Sequence, residues 1–233
     1  MSEPTRPPAA DVRPAFYALA PGGWRDYVTL LHLPYTAWHL SYVAVGAAVA
    51  PVFRLDRLLW TLAAFALAMG IAAHALDELQ GRPLRTRIGG GTLVLLAAAS
   101  LAGAVAIGIW AAAAWGWELL AFVAAGAFLV AAYNLELFGG RLHTDRWFAL
   151  AWGGFPALTA FFAQEQAIRA EGLLAAGYAV ALSLAQRRLS TPVRHARRAL
   201  GSTEGTEPLE RALRALTVAA VLIACALVTA RLT

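Results

Sequence analysis

Seven long apolar stretches run through the sequence, and they restrict the folds that it can adopt. They cover residues 30–52, 59–76, 92–110, 117–137, 147–163, 173–186 and 212–230. A helix that crosses a bilayer needs about 20 largely apolar residues. The 233-residue chain is 60% hydrophobic and 14% charged, whereas about 25% of a soluble domain is charged. We therefore expect an all-α integral membrane protein with about seven transmembrane helices in one bundle.

The chain divides into a short polar start and one long apolar region. Residues 1–21 are polar, rich in Pro and Ala, and lack the apolar core of a signal peptide. We predict a cytoplasmic N-terminal segment over 1–29 and a helical transmembrane domain over 30–233. Cys225 is the single cysteine and lies in the last apolar stretch. This excludes an internal disulfide and any metal site built from cysteines.

The positive charge is distributed by membrane side. All 19 basic residues are arginine, and the net charge is +5. Only Arg54, Arg57, Arg169 and Arg231 fall on the side opposite the N-terminus. Because arginines collect in cytoplasmic loops, we predict a cytoplasmic N-terminus, an outside C-terminus and a bacterial or archaeal cell membrane. Membrane topology explains the charge, so we expect no nucleic-acid partner; oligomeric state stays open.

The second apolar stretch ends in a group of ionisable residues. His74, Asp77 and Glu78 stand at i, i+3 and i+4, which places them near one helical face. Ionisable groups inside membrane helices are costly and usually face the bundle interior or a water-filled cavity. A structural ion pair with Arg82 or Arg85 is the alternative. Two carboxylates beside a histidine favour a functional site.

The first stretch carries His32, Tyr35 and His39 on one face. His32 and Tyr35 are candidate site residues, although both residue types also occur at the headgroup level. His39 lies deeper, where it is as well explained by packing as by function. We therefore expect His32 to contribute to a site on the cytoplasmic half.

The fourth stretch ends in Tyr133, Asn134 and Glu136, and His143 follows in the next loop. These residues also fall in the cytoplasmic half by the predicted topology. Glu136 could instead pair with Arg141 just beyond the helix end. The polar residues of three spans thus point to one site at the cytoplasmic face.

Residues 73–84, AHALDELQGRPL, resemble a motif of the UbiA superfamily of intramembrane aromatic prenyltransferases, Asn-Asp-x-x-Asp followed by Arg-Pro-Leu. Asp77 matches the second aspartate of that motif, His74 stands where the first usually is, and Arg82 with Pro83 matches the Arg-Pro. The resemblance implies a helical bundle in which Mg²⁺ binds the diphosphate of a prenyl donor. It places Mg²⁺ on Asp77 and Glu78, with His74 beside them as a third catalytic residue.

Residues 185–194, AQRRLSTPVR, resemble the tail of the family's second motif but lack its aspartates. The family's last pair of helices also has no counterpart. Arg187, Arg188 and Arg194 would then contact the diphosphate directly, since the guanidinium group suits phosphate and stabilises a departing anion.

These considerations favour a UbiA-like transferase that acts on an isoprenoid diphosphate at the cytoplasmic side. Its expected substrate-binding residues are His32, Arg82, Tyr133, Asn134, Glu136, Arg141, Arg187, Arg188 and Arg194. The alternative is a catalytically degenerate lipid-binding or assembly protein with the same bundle. A third possibility is a transition-metal enzyme of the membrane that uses His32, His39, His74, Asp77, Glu136 and His143.

Overall fold

The computed structural model describes residues 12–233, and all regular secondary structure in this range is helical. The helices are α1 (Trp24–Leu30), α2 (Leu33–Ala48), α3 (Leu55–Leu79), α4 (Gly90–Trp115), α5 (Leu119–Asn134), α6 (residues 145–165), α7 (Ala170–Ala199) and α8 (Glu207–Leu232). The prediction of an all-α chain is confirmed. The predicted N-terminal segment lies partly outside the described residues, because it begins at residue 1.

Three helices, α3, α4 and α8, are long and apolar enough to cross a membrane by length and composition. They contain the predicted spans 59–76, 92–110 and 212–230. The apolar helix α5 is shorter, with 16 residues. The helical architecture is therefore compatible with a bilayer.

The first predicted span is interrupted near its start. α1 ends at Leu30, and His32 adopts a left-handed conformation with φ 46° before α2 begins at Leu33. Pro34 occupies the first turn of α2. Proline is favoured there because its missing N–H has no helical partner at that position. The prediction of one helix from residue 30 was therefore wrong at its first turn.

The sixth predicted span, 173–186, is part of a much longer helix. α7 has 30 residues and continues through Arg187 and Arg188 to Ala199, with Pro192 inside it. The predicted span ended before Arg187 because its apolar residues end there, but these charged residues do not end the helix. The extension is held by tertiary contacts, since Val193 is buried and Arg197 pairs with Glu210 of α8.

The core is centred on α2, whose Trp38 and Tyr42 are fully buried. They pack with buried residues of α6, α7 and α8, including Ala157 and Leu213. A Cβ atom built on Gly46 would lie 2.0 Å from the carbonyl oxygen of Ala157. Only glycine permits this approach of two backbones, which is the kind of tight packing expected of small residues in membrane bundles.

Two helices contain π-helical segments, Ala66–Ala73 in α3 and Ala149–Gly154 in α6. A π-helical turn is wider than an α-helical turn and is frequent at functional sites. Histidine rings bind a carbonyl in each segment, since His74 Nδ1 lies 3.1 Å from Gly70 O and His39 Nδ1 lies 2.9 Å from Trp152 O. The two segments therefore position two histidines inside the bundle.

Residues 12–23 fold back against the ends of α7 and α8. Arg197 donates a hydrogen bond to the carbonyl of Arg13 at 3.2 Å, and the Arg214 guanidinium lies 4.9 Å from the ring centre of Phe16. Ala15 and Ala18 are buried. This segment, called here the N-terminal strap, packs against the bundle.

Candidate functional site

A polar cavity of about 300 Å³ lies among the strap, α2, α3, α5, α6 and α7. Seven of the predicted site residues line it: His32, His74, Asp77, Tyr133, Asn134, Arg187 and Arg194. His39 and His143, weighed as metal ligands, line it as well. The structure thus brings together polar residues from all three of the predicted spans and from the predicted basic segment.

Asp77 lines the cavity, and within residues 12–233 no hydrogen bond or ion pair engages its carboxylate. Neighbouring Glu78 is different, because it is completely buried. Its carboxylate accepts hydrogen bonds from the N–H of Leu84 at 2.9 Å and from the N–H and hydroxyl of Thr86 at 2.8 and 2.9 Å. Glu78 therefore organises the loop after α3 and leaves Asp77 as the carboxylate available to a ligand.

Arg82 also belongs to that loop. Its guanidinium donates to the carbonyls of Ile88 at 2.5 Å and Thr86 at 3.4 Å, and it does not line the cavity. In the structure Arg82 therefore forms no ion pair with Asp77 or Glu78, which was the alternative to a functional site. The predicted substrate-binding residue Arg82 has a structural role in the loop.

Three cavity histidines have a fixed tautomer. Nδ1 of His39, His74 and His143 lies 2.9–3.1 Å from the carbonyl oxygens of Trp152, Gly70 and Tyr133, respectively. A carbonyl only accepts, so Nδ1 carries the hydrogen and Nε2 of the neutral ring is an acceptor.

His32 is held by a tyrosine and another histidine. Its ring stacks on His74 with centroids 4.0 Å apart, and its Nδ1 lies 3.0 Å from the Tyr17 hydroxyl. Burial raises the pKa of Tyr17, so its hydroxyl stays protonated and can donate to Nδ1. The strap thus supplies the contact that orients His32.

Arginines of α7 make the cavity positive. Arg187, Arg194 and Arg198 line it, whereas Asp77 is the one acidic lining residue among residues 12–233. Arg187 is paired with Asp145 at 2.6 Å. Arg194 contributes a guanidinium, which is charged at neutral pH. Among the described residues no carboxylate pairs with Arg194, whose side chain reaches only Thr191 Oγ1 at 3.3 Å.

Three other predicted substrate-binding residues lie outside the cavity. Glu136, Arg141 and Arg188 are exposed. Glu136 lies 3.9 Å from His143 Nδ1 rather than beside Arg141. Glu136 and Arg141 lie in the segment between α5 and α6, whereas Arg188 lies within α7, and none of the three lines the cavity.

The residues do not form a ready metal site. Across residues 12–233, no group of three or more His, Cys, Asp or Glu side chains is arranged to hold a metal ion. Mg²⁺ commonly uses one or two carboxylates together with substrate phosphates. Asp77 fits such a role, whereas the hydrogen bonds of Glu78 leave it outside.

Other lining residues were not predicted from the sequence, among them Tyr17, Gln186, Ser190 and Arg198. A signal existed for Gln186 and Ser190, because with Ser183 they repeat at three- and four-residue spacing along an apolar helix. Tyr17 had none, since its position depends on how the strap folds back.

A second cavity, of about 100 Å³, lies among α3, α4, α5 and α6 and is almost entirely apolar. Phe65, Phe122 and Phe155 are among its lining residues. Met69 and Trp152, one from each π-helical segment, line both this cavity and the polar one. The two spaces therefore adjoin at the π-helical segments.

No protein-family model matches the chain, and no curated protein or solved structure is significantly similar to it. The fold and cavities define a class in broad terms, an all-helical protein with membrane-length apolar helices and a polar, positively charged pocket beside an apolar one.

Proposed function

We propose that the chain is a UbiA-like integral membrane transferase that binds an isoprenoid diphosphate from the arginine-rich, cytoplasmic side. The observation that carries this proposal is the junction of a polar, positive cavity with an apolar cavity at Met69 and Trp152. A ligand that fills both spaces must have an anionic head and an apolar tail. An isoprenoid diphosphate has this composition.

The proposed bundle crosses the bilayer seven times, with the N-terminus in the cytoplasm of a bacterium or archaeon. The crossings are α2 to α8, of which α3, α4 and α8 have membrane length. Shorter α2 and α5, with 16 residues each, rise about 24 Å at 1.5 Å per residue. This is somewhat shorter than the roughly 30 Å of the hydrocarbon layer. In the proposed bundle, neighbouring helices cover the part of the layer that α2 and α5 do not reach.

The topology is testable with single cysteines, because Cys225 is the sole native cysteine. In a Cys225→Ala background, membrane-impermeant maleimide should label a cysteine at Thr233 in intact cells. A cysteine at Arg141 should react only after the cells are opened. Labelling of both positions in intact cells would refute the orientation.

The proposed headgroup site is the space between Asp77 on α3 and Arg194 with Arg198 on α7. Arginine binds phosphate through two parallel N–H donors, and Arg194 is charged and without a carboxylate partner in the described chain. Mg²⁺, when bound, would supply charge neutralisation of the diphosphate beside Asp77. The arginines substitute for the family's second acidic motif.

The proposed reaction breaks the allylic carbon–oxygen bond, and the diphosphate departs with the electron pair of that bond. The acceptor then forms a bond to the allylic carbon and loses a proton. His74 and His39 each present an unprotonated Nε2 in the cavity, so either ring can take up that proton. The apolar cavity excludes water from the carbocation.

The test uses the full chain in nanodiscs with radiolabelled farnesyl diphosphate and a cellular lipid extract as acceptor source. Wild-type protein should release diphosphate and form a labelled lipid in the presence of Mg²⁺. Asp77→Asn and Arg194→Gln should each lower that rate by roughly 100-fold, which corresponds to about 2.7 kcal/mol of barrier. Arg188→Gln, an exposed change on the same helix, should stay within about twofold. An unchanged rate in folded Asp77→Asn would reject the transferase.

A second candidate is a lipid-binding or assembly protein that kept the bundle without the chemistry. It is favoured by the structural role of Glu78, which leaves Asp77 as the one carboxylate that lines the cavity within the described part of the chain. This candidate predicts binding of farnesyl diphosphate that depends on Arg194, is insensitive to EDTA and produces no labelled product. Mass spectrometry of copurifying lipids would identify its ligand.

A further inference from the structure

A band of uncharged polar groups lies in the polar cavity between its charged end and its apolar floor. Gln186 and Ser190 of α7 belong to it, and both are about 3% exposed. Arg194 lies one turn beyond Ser190 on the same face. On the other side of the band, Ser183 donates to the Tyr42 hydroxyl at 3.2 Å. The band therefore occupies one defined level of α7.

Gln186 is unusual because its amide oxygen is buried and has no partner among the described residues. Its Oε1 is inaccessible to solvent, and no donor among residues 12–233 reaches it. Buried side-chain oxygens are nearly always hydrogen-bonded, and an unpaired one is costly. Ser183, three residues away on the same helix, has its partner in Tyr42. The unpaired oxygen thus indicates a ligand group that supplies a donor.

His39 provides a second acceptor in the same cavity. Its Nδ1 donates to Trp152 O at 2.9 Å, so its Nε2 can only accept while the ring is neutral. The polar cavity therefore holds acceptors from two helices, Gln186 Oε1 and His39 Nε2. Groups that satisfy acceptors without adding charge are hydroxyls and amides.

Gln186 is also separate from the unpaired charge of the cavity, because adjacent Arg187 is paired with Asp145 at 2.6 Å. Arg194 is eight residues further along α7, which is about 12 Å along the helix axis. The diphosphate proposed for Arg194 and Asp77 therefore does not reach Gln186 by itself. A different group must occupy the band.

We infer that this band is a subsite for an uncharged, hydroxyl-bearing molecule whose O–H groups donate to Gln186 and His39. Resting on the proposed function, the inference makes that molecule the acceptor of the isoprenoid group. The apolar walls on one side and the neutral acceptors on the other select an amphiphile without a charged head. The subsite also accounts for a glutamine buried where leucine would pack at no polar cost.

The experiment compares two probes on the full chain in nanodiscs. 1-O-octylglycerol carries two hydroxyls, and its di-O-methyl ether has the same tail without an O–H donor. Wild-type protein should bind the diol at least about tenfold more tightly, because the ether leaves buried acceptors unpaired. Equal affinities in the wild type would overturn the subsite, since a cavity that only holds water would not distinguish the probes.

Variants at Gln186 separate recognition from folding. Gln186→Met keeps the volume and removes the acceptor, so the preference for the diol should disappear. Gln186→Glu keeps an acceptor oxygen at this position, so the preference should persist. Ser183→Ala, on the same face but outside the cavity lining, should keep it as well. A preference that survives in folded Gln186→Met would overturn the inference, and one lost in Gln186→Glu would do the same.

A parallel titration with farnesyl diphosphate distinguishes this inference from the proposed function. Gln186→Met should leave farnesyl diphosphate affinity within about twofold, whereas Arg194→Gln should weaken it at least tenfold while keeping the diol preference. If the diol preference holds and farnesyl diphosphate does not bind, the subsite stands and the transferase fails. If farnesyl diphosphate binds and the diol preference is absent, the subsite fails alone.

Discussion

Glu78 Oε1 accepts two hydrogen bonds from Thr86, one from its N–H at 2.8 Å and one from its hydroxyl at 2.9 Å. The carboxylate is completely buried, and its other oxygen binds the N–H of Leu84. Asp77, one residue earlier, lines the cavity. Two adjacent acidic residues in one helix therefore have opposite roles, one in the loop and one in the site.

Removal of the Glu78 carboxylate should destabilise the protein more than removal of the Asp77 carboxylate. Glu78→Ala leaves three donors unpaired in a buried loop, so we expect a loss of about 3 kcal/mol or more. Asp77→Asn should change stability by less than about 1 kcal/mol, because its carboxylate has no partner in the described chain. Thermal unfolding of both variants in one detergent measures the difference. Equal losses would show that Asp77 also supports the fold.

The sequence predicted the two carboxylates near one helical face because Asp77 and Glu78 stand three and four residues after His74. Their separation depends on how α3 is rotated about its axis. The π-helical segment Ala66–Ala73 lies immediately before His74 and changes that rotation. The pattern of apolar residues contains no signal for this wide turn, so the division between Asp77 and Glu78 could not be predicted.

Much of the rest of the site could be predicted, because it follows from local periodicity. His74 shares the cavity with Asp77, as its spacing indicates, and Tyr133 with Asn134 comes from the predicted end of α5. Tyr17 could not be predicted, since the strap is held by contacts such as that between Arg197 and Arg13, 184 residues apart. Contacts over such separations have no counterpart in local sequence.

A methyl group at Gly46 should disrupt the centre of the bundle. Its Cβ would lie 2.0 Å from Ala157 O, so Gly46→Ala requires α2 and α6 to separate. We expect a loss of more than about 3 kcal/mol, at the high end for single substitutions. The matched control is Gly177→Ala in α7, where a Cβ meets nothing within 4 Å. Alanine favours the helix there by up to about 1 kcal/mol, so thermal unfolding should shift in opposite directions for the two variants.

The ion pair between Arg197 and Glu210 should stabilise the packing of α7 on α8. Arg197 Nε and Nη2 donate to the two carboxylate oxygens at 2.6 and 3.1 Å, and both side chains are about nine-tenths buried. Arg197→Ala leaves the Glu210 carboxylate buried without its Arg197 partner, so we expect a loss of about 3 kcal/mol in the free energy of unfolding. Exposed Arg188→Ala should cost less than about 0.5 kcal/mol. Similar unfolding curves for both variants would mean that water already reaches the Arg197 pair.

The hydroxyl of Tyr17 should contribute to ligand binding through His32 rather than to stability. Its oxygen lies 3.0 Å from His32 Nδ1, and a donated hydrogen bond fixes the remaining ring proton on His32 Nε2. That Nε2 is buried and has no partner among the described residues. We expect Tyr17→Phe to weaken farnesyl diphosphate binding about fivefold, because one oriented donor is lost.

Tyr17→Phe should lower stability by no more than about 1.5 kcal/mol, since the ring still packs edge-on against Phe16 and Tyr35. Tyr27→Phe, on an exposed tyrosine outside the cavity lining, is the control and should change neither quantity. Unchanged affinity in folded Tyr17→Phe would show that the strap covers the cavity without orienting His32.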